Sequence, residues 1–192
     1  MKLLKSLDSL ILREKKKYSG IPENWKLKPV CCLSDASEEE VYYAASEGGT
    51  VSELAAFRKS YAFTLYLLNR KGEENLYFKK NAGLFANKIE IFDAAENLLG
   101  SVQKQGSSKT HFQVLDAGGN VLYTIEGPPV NPETFHIRKG NATLGKISKR
   151  PTPTVEEGVS RNDHFGIVFP FAADTAEKSI LLGALFLIDL TF

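Results

Sequence analysis

The sequence is poor in the residues that cross-link small proteins or bind metals. Its 192 residues include two cysteines and three histidines. The cysteines, Cys31 and Cys32, are adjacent, and neighbouring cysteines rarely bridge because the disulfide would be strained. His111, His136 and His164 lie far apart, without the spacing of zinc ligands. We therefore expect unbridged thiols in a reducing compartment, and no zinc site.

The common motifs of catalysis and nucleotide binding are also missing. The chain has no G-x-S-x-G nucleophile elbow and no G-x-x-x-x-G-K-[ST] phosphate loop. The glycines of AGGN, at Ala117–Asn120, lie between two apolar stretches, which is typical of a hairpin tip. We therefore predict that the protein is not an enzyme.

Charge of one sign is not in excess, because the formal net charge is +1 at pH 7. This balance does not call for a nucleic acid, so we do not expect one as a partner. No stretch is rich enough in glycine or serine to link two folded units. We therefore predict a single domain over residues 1–192.

The N-terminus, MKLLKSLDSLILREKKK, lacks the uninterrupted apolar stretch and the cleavage site of a signal peptide. Its apolar residues Leu3, Leu7, Leu10 and Ile11 fall on one face of a helix. We predict a helical extension over residues 1–20 that packs on its own domain. A basic amphipathic helix lying on a membrane surface is the alternative.

From about Trp25 onward, short apolar runs alternate with turn residues, which is typical of β-structure. Three turns resemble one another, at Leu33–Tyr43, Phe92–Val102 and Leu115–Ile125, each with an aspartate near its start. A fourth, at Leu67–Phe78, has asparagine in that place. Short Asp and Asn side chains bond the local backbone and suit tight turns. A later apolar run, Phe165–Phe171, predicts a further strand. In total the pattern predicts ten to twelve strands, and an antiparallel sheet of that size is expected to close into a barrel.

The one long apolar run lies at the end of the chain, at Ser179–Phe192. As a helix it would span about 21 Å, short of the roughly 30 Å hydrocarbon core of a bilayer. A barrel of this size needs something to occupy its interior, and a helix that is apolar all round suits that place. We predict a helix threaded through the barrel. A final β-strand and a membrane-inserted tail are the alternatives.

Three charged residues, Asp174, Glu177 and Lys178, precede this run and give it a first turn suited to the helix dipole. Gly183 and Ala184 would let strands approach the helix closely. The predicted core residues of the helix are Ile180, Leu181, Leu182, Leu185, Phe186, Leu187 and Ile188.

The segment Asn162–Phe192, with FGIVFPF followed by the apolar run, resembles the C-terminus of the phospholipid scramblase family. A second hallmark of that family is LGKISK at Leu144–Lys149. The stretches VYYAASE at Val41–Glu47 and YTIEGPP at Tyr123–Pro129 match strands of the family, and the opening LKSLDSLIL matches its start. The resemblance covers nearly the whole chain, in order and without large gaps.

This resemblance implies a fold and an activity. The fold would be mainly β and similar to the tubby C-terminal domain: a closed antiparallel barrel of about twelve strands around a buried hydrophobic C-terminal helix. The activity would be calcium-dependent, energy-independent movement of phospholipids between leaflets. The resemblance implies calcium as a cofactor, whereas the residues alone call for none.

Two departures from the family pattern concern its ligands. The family usually carries acidic residues around Phe-Gly-Ile-x-Phe-Pro, but Arg161 and Ala172 stand at two of these positions, leaving Asp163 and Asp174 as metal-site candidates. Calcium prefers six to eight oxygen ligands, so we expect calcium dependence to be weak or lost, with solvated loop acids as the alternative. The cysteine cluster that carries acyl chains in many members is absent from Phe78–Glu90.

The basic residues Lys146, Lys149 and Arg150 are the candidate headgroup-binding set, since each cation near an anionic membrane contributes about 1 kcal/mol. Lys79 and Lys80 form a second basic pair that could face anionic headgroups. A solvated barrel face is the alternative for both.

The function predicted from the resemblance is that of a scramblase-family protein. It would be cytoplasmic and peripherally associated with membranes, with phospholipid as its partner, and it would move phospholipids between leaflets. The alternative is a soluble tubby-like module that binds anionic lipid headgroups, a protein or DNA.

Overall fold

The computed structural model describes residues 2–14, 27, 29–46, 62–81, 88–106, 108–150, 164–189 and 191–192. Within these ranges lie two helices, α1 (Lys2–Ser6) and α2 (Thr175–Asp189), and twelve strands. The strands, in chain order, are β1 (Ser9–Glu14), β2 (Pro29–Ser34), β3 (Glu40–Ser46), β4 (Phe63–Asn69), β5 (Glu74–Lys80), β6 (Lys88–Asp93), β7 (Leu98–Lys104), β8 (His111–Asp116), β9 (Val121–Glu126), β10 (Thr134–Lys139), β11 (Ala142–Arg150) and β12 (His164–Val168).

The strands form one closed antiparallel barrel, as the hairpin pattern predicts. Each strand pairs with its neighbours in the chain, and β1 pairs with β12 to close the ring. Because the strands alternate in direction, the hairpin turns after β2, β4, β6, β8 and β10 all lie at one end, together with the start of α2. We call this the turn end. The opposite end, where the other connections lie, is the loop end.

The recurring hairpin turn is built by a side chain that binds its own loop. At Asp35, Asn69 and Asp93 one side-chain oxygen accepts hydrogen bonds from the backbone N–H groups two and four residues ahead, at 2.8–3.1 Å. Asp116 accepts one from Asn120 at 2.8 Å. The residue three positions on always has positive φ, between 64° and 85°: Glu38, Gly72, Glu96 and Gly119.

The helix α2 fills the barrel, which confirms the threaded helix. All seven predicted core residues are buried, and each contributes roughly 1.5–3 kcal/mol by leaving water. The ring of Phe186 meets that of Phe78 edge-on, with centroids 5.0 Å apart. A Cβ on Gly183 would lie 2.7 Å from Cδ1 of Ile91, so this glycine lets β6 approach the helix closely.

The length of α2 is fifteen residues, or about 22 Å at 1.5 Å per residue. In the part of the chain that the structure describes, no helix has both the length and the apolar character needed to cross a bilayer.

The N-terminal segment departs from the predicted helix over residues 1–20. Only Lys2–Ser6 is helical, and Ser9–Glu14 forms β1, so the prediction is wrong for that stretch. The reason is tertiary: β1 pairs with both β2 and β12, and without it the two neighbouring edges would lack hydrogen-bond partners. Residues 15–20 lie outside the described residues.

The last strand is also shorter than its apolar run suggests. The pattern predicts a strand over Phe165–Phe171, whereas β12 ends at Val168. Pro170 lacks the N–H group that would continue the ladder, and the chain leaves the sheet there to enter α2.

Candidate functional site

A buried lysine fixes the N-terminus of the chain at the turn end. The ammonium group of Lys178, in α2, donates hydrogen bonds to the carbonyl oxygens of Lys5 at 2.9 Å and Leu7 at 2.7 Å. The side chain is only 4% exposed, and its nitrogen lies 5.5 Å from the ring centre of Phe169. These contacts hold α1 against the start of α2 and leave Leu3 partly exposed on the surface.

The start of α2 is closed by a reciprocal capping box. The backbone N–H of Glu177 donates to Oδ1 of Asp174 at 2.8 Å, and the N–H of Asp174 donates to Oε2 of Glu177 at 3.0 Å. The hydroxyl of Tyr123 lies near the carboxylate of Glu177. Burial, together with this carboxylate, raises the pKa of Tyr123 to about 12.

The capping role of Asp174 bears on the predicted calcium site. One oxygen of this carboxylate already caps the helix, and Asp163 lies outside the described residues. Among the residues that the structure describes, no three or more His, Cys, Asp or Glu side chains group together to hold a metal ion. The described residues therefore do not fit a calcium ion, which needs several carboxylate oxygens.

Exposed apolar residues lie near Lys146, towards the turn end of β11 and β12. Lys146 lies on the outer face of β11 and pairs with Val168 of β12. Val168 and Leu144 are each more than two-fifths exposed. Beyond Pro170, which packs over Gly145, Phe171 is 99% exposed. We call Leu144, Lys146, Val168 and Phe171 the turn-end patch.

A cleft borders this patch. Its volume is about 680 Å³, and it lies between α1 and the segment that enters α2. Its charged lining residues are Lys5, Asp8, Asp174 and Lys178, and Phe171 lies beside them. The cleft carries charges of both signs, so the apolar residues are the more distinctive part of this surface.

The other two residues of the predicted headgroup set lie elsewhere or are only partly described. Lys149 pairs with Phe165, whose side chain is buried, near the loop end of β11. Its ammonium nitrogen lies 5.7 Å from the centre of that ring, so Lys149 is not beside Lys146 on the outer face. For Arg150 the structure describes the backbone, at the end of β11, and not the side chain.

The sequence predictions missed the roles of two residues of this surface. Phe171 was expected inside a strand, and only the proline before it signals that it leaves the sheet. Lys178 follows Glu177 in what reads as an ordinary charged first turn. Its position immediately before a fully apolar run is compatible with burial. The sequence does not show which groups its ammonium binds, because the two carbonyl acceptors belong to the other end of the chain.

These features define a class of protein: a twelve-stranded barrel plugged by its own C-terminal helix, with an exposed aromatic residue beside the helix start. A solved structure of a protein from Arabidopsis thaliana has this fold, with a TM-score of 0.51 over 94% of this chain and 91% of that one, at 12% identity.

The family follows from the sequence comparisons. The Scramblase family model matches residues 1–192, so the chain belongs to the scramblase family. Human phospholipid scramblase 1 is 45% identical over the whole of this chain, which spans 65% of that protein. Human phospholipid scramblase family member 5 is 24% identical, again over the whole chain and over 76% of its own length. The resemblance read from the sequence is confirmed.

Proposed function

We propose that this protein binds the surface of an anionic membrane through the turn-end patch and moves phospholipids between leaflets, with little dependence on calcium. The observation that carries the proposal is the exposure of Phe171, at 99%. Burying such a side chain in a bilayer interface would contribute roughly 1.5–3 kcal/mol. Lys146, two residues along β11 from exposed Leu144, would add about 1 kcal/mol on an anionic surface.

The interior of the barrel supports an action at its outer surface. The helix α2 occupies that interior, and the side chains of Phe186 and Ile180 pack against the strands around it. A phospholipid therefore has no route through the centre of this conformation. We therefore assign phospholipid movement to the outer surface of the barrel, where the turn-end patch can disturb the headgroup region of the bilayer.

Membrane binding is tested by flotation with phosphatidylserine vesicles. The variant Phe171→Ser should weaken binding about tenfold, the equivalent of roughly 1.4 kcal/mol. The matched control is Val130→Ser, because Val130 is also highly exposed, at 75%, but follows β9 at the loop end. Equal losses from the two variants, or no loss from Phe171→Ser, would reject the patch as the docking surface.

The contribution of the Lys146 charge to membrane binding is tested with a second pair of variants. Lys146→Glu should weaken flotation, and the loss should shrink at high salt because screening shortens the reach of the charge. Lys109→Glu removes an exposed cation just before β8 and should leave flotation close to wild type.

Phospholipid movement is tested in liposomes that carry a fluorescent lipid. The wild type should speed exchange between leaflets to a similar extent with and without calcium, and Phe171→Ser should slow it. Binding without any exchange would reject the movement and leave the alternative function, a lipid-binding module.

A further inference from the structure

A second cavity lies at the loop end, on the side of the barrel formed by β3, β4 and β5. Its volume is about 440 Å³. No carboxylate lines it in the described part of the chain. The lining residues are Ser46, Ala62, Phe63, Thr64, Lys79, Lys80 and Asn81.

The most buried cation of this cavity is Lys80. Its side chain belongs to the inward-facing row of β5, after Leu76 and Phe78, and the residue is only 9% exposed. Its ammonium nitrogen lies 5.9 Å from the ring centre of Phe63. Burial lowers the pKa of Lys80, because removing a charge from water disfavours it unless an opposite charge is near. A cation held in this way is suited to meet an anion.

Ser46 supplies a second, independent sign of a binding site. The residue is 4% exposed, and its hydroxyl has no hydrogen-bond partner within the described ranges. Buried hydroxyl groups are nearly always paired, with protein, water or ligand. The hydroxyl lines the same cavity as Lys80, so one bound group could satisfy both.

The rim of the cavity adds more donors. Thr64 and Lys79 face each other across the β4–β5 pair, and the side-chain amide of Asn81 lies at the end of β5. Lys79 is exposed, with its nitrogen 5.4 Å from the ring centre of Tyr77. Side chains that carry two ammonium groups, two hydroxyls and an amide therefore line this cavity and its rim.

We propose that this cavity binds the phosphomonoester group of a small ligand. Several donors that line one cavity suit a group with three anionic oxygens, since charge-assisted hydrogen bonds are the strong ones. Lysine serves such sites as a compact point charge, and the volume is within the range of small-molecule pockets. A single carboxylate would leave part of this donor set unused.

The position of the cavity indicates where the ligand comes from. It lies at the opposite end of the barrel from the turn-end patch, and β5 is half-way round the ring from β11. A membrane held at the patch would not reach it, so we expect a ligand dissolved in water. The site is therefore independent of the proposed membrane function.

The soluble source is tested with glycerol 3-phosphate, using glycerol and sulfate as controls. At a hundred times its Kd, glycerol 3-phosphate should raise the melting temperature by about 5–10 °C, whereas glycerol should have no effect and sulfate a smaller one. A shift no larger than that of sulfate would overturn the phosphomonoester assignment.

Two variants locate the site. Lys80→Met removes the buried charge and Ser46→Ala removes the unpaired hydroxyl, so each should match or exceed the wild type in melting temperature without ligand. Lys80→Met should abolish the ligand-induced shift, and Ser46→Ala should weaken binding several-fold. The control Lys109→Met should keep the full shift. Unchanged binding in Lys80→Met would refute the site, whether or not Ser46→Ala folds.

An experiment with vesicles distinguishes a soluble phosphomonoester from one carried by a lipid. If Lys80→Met instead loses binding to phosphatidic acid vesicles, and glycerol 3-phosphate has no effect, the soluble source is wrong and a lipid carries the phosphomonoester. The proposed membrane function is read separately, because Phe171→Ser should retain glycerol 3-phosphate binding and Lys80→Met should retain flotation with phosphatidylserine vesicles.

Discussion

The ammonium group of Lys178 donates a 2.7 Å hydrogen bond to the carbonyl oxygen of Leu7, joining residues from opposite ends of the chain. The same nitrogen binds the carbonyl of Lys5, and Leu4, the residue before Lys5, is fully buried in the core. The N-terminal residues therefore pack against α2 as part of the core of the barrel.

Lys178→Met should therefore destabilise the protein by about 2 kcal/mol, because two carbonyl groups lose a charged donor at a buried position. In urea unfolding the midpoint should fall, and hydrogen exchange should show lost protection near α1. The exposed Lys109 gives the control, Lys109→Met, which should unfold like the wild type. Unchanged exchange near α1 in Lys178→Met would mean that the two hydrogen bonds do not hold the helix in place.

Gly183 and Ile91 make a second testable contact, between α2 and β6. Alanine normally stabilises a helix relative to glycine by about 1 kcal/mol. Here the added Cβ would lie 2.7–2.8 Å from two side-chain atoms of Ile91, so Gly183→Ala should destabilise the protein by about 1–3 kcal/mol.

The double variant gives the decisive comparison. In an Ile91→Ala background the space beside Gly183 is open, so Gly183→Ala should become neutral or stabilising. Urea unfolding of the four proteins measures the coupling. Additive effects would show that helix and strand are not in the close contact seen here.

Much of this fold is predictable from the sequence because its signals are local. The turns at Asp35, Asn69, Asp93 and Asp116 depend on a side chain that binds its own loop, so each can be recognised within a few residues. The threaded helix follows from its length and its apolar surface. Both signals were sufficient to predict a closed barrel around a helix.

Long-range contacts account for what was missed. Leu10 and Ile11 fit a helical face, and only pairing with β2 and with β12, which lies near the other end of the chain, makes their segment a strand. Lys146 and Lys149 are three residues apart, and the register of β11 places them on different faces. Lys80 and Ser46 share a cavity only because β3, β4 and β5 pair side by side. Such neighbours cannot be read from spacing along the sequence.

The hairpin turns predict a specific response to acid. Hydrogen bonds from Asn97 hold the pKa of Asp93 below its usual value, and Asn120 does the same for Asp116. A carboxylate with a lowered pKa in the folded state contributes stability that is present above the unfolded pKa, about 3.9. That contribution is lost as the pH falls through the folded pKa.

The double variant Asp93→Asn/Asp116→Asn should therefore unfold more readily than the wild type at pH 7. The difference should narrow below pH 4 and vanish once both carboxyl groups are protonated. Asn69 occupies the equivalent position in another of the four hairpin turns, so the variant should fold. Urea midpoints measured from pH 7 to pH 2 test the response, and a gap that stays constant over that range would contradict it.

The last prediction concerns calcium and Asp174. Because one oxygen of this carboxylate caps α2, millimolar calcium should leave the melting temperature of the wild type unchanged. Asp174→Ala should cost about 1 kcal/mol as a lost N-cap, whereas Asp174→Asn should retain most of the stability because asparagine also caps. Thermal melts of the three proteins, each with and without calcium, separate the two roles. An increase of several degrees in the melting temperature with calcium in the wild type, absent from Asp174→Asn, would contradict this prediction. It would show that the carboxylate of Asp174 binds calcium.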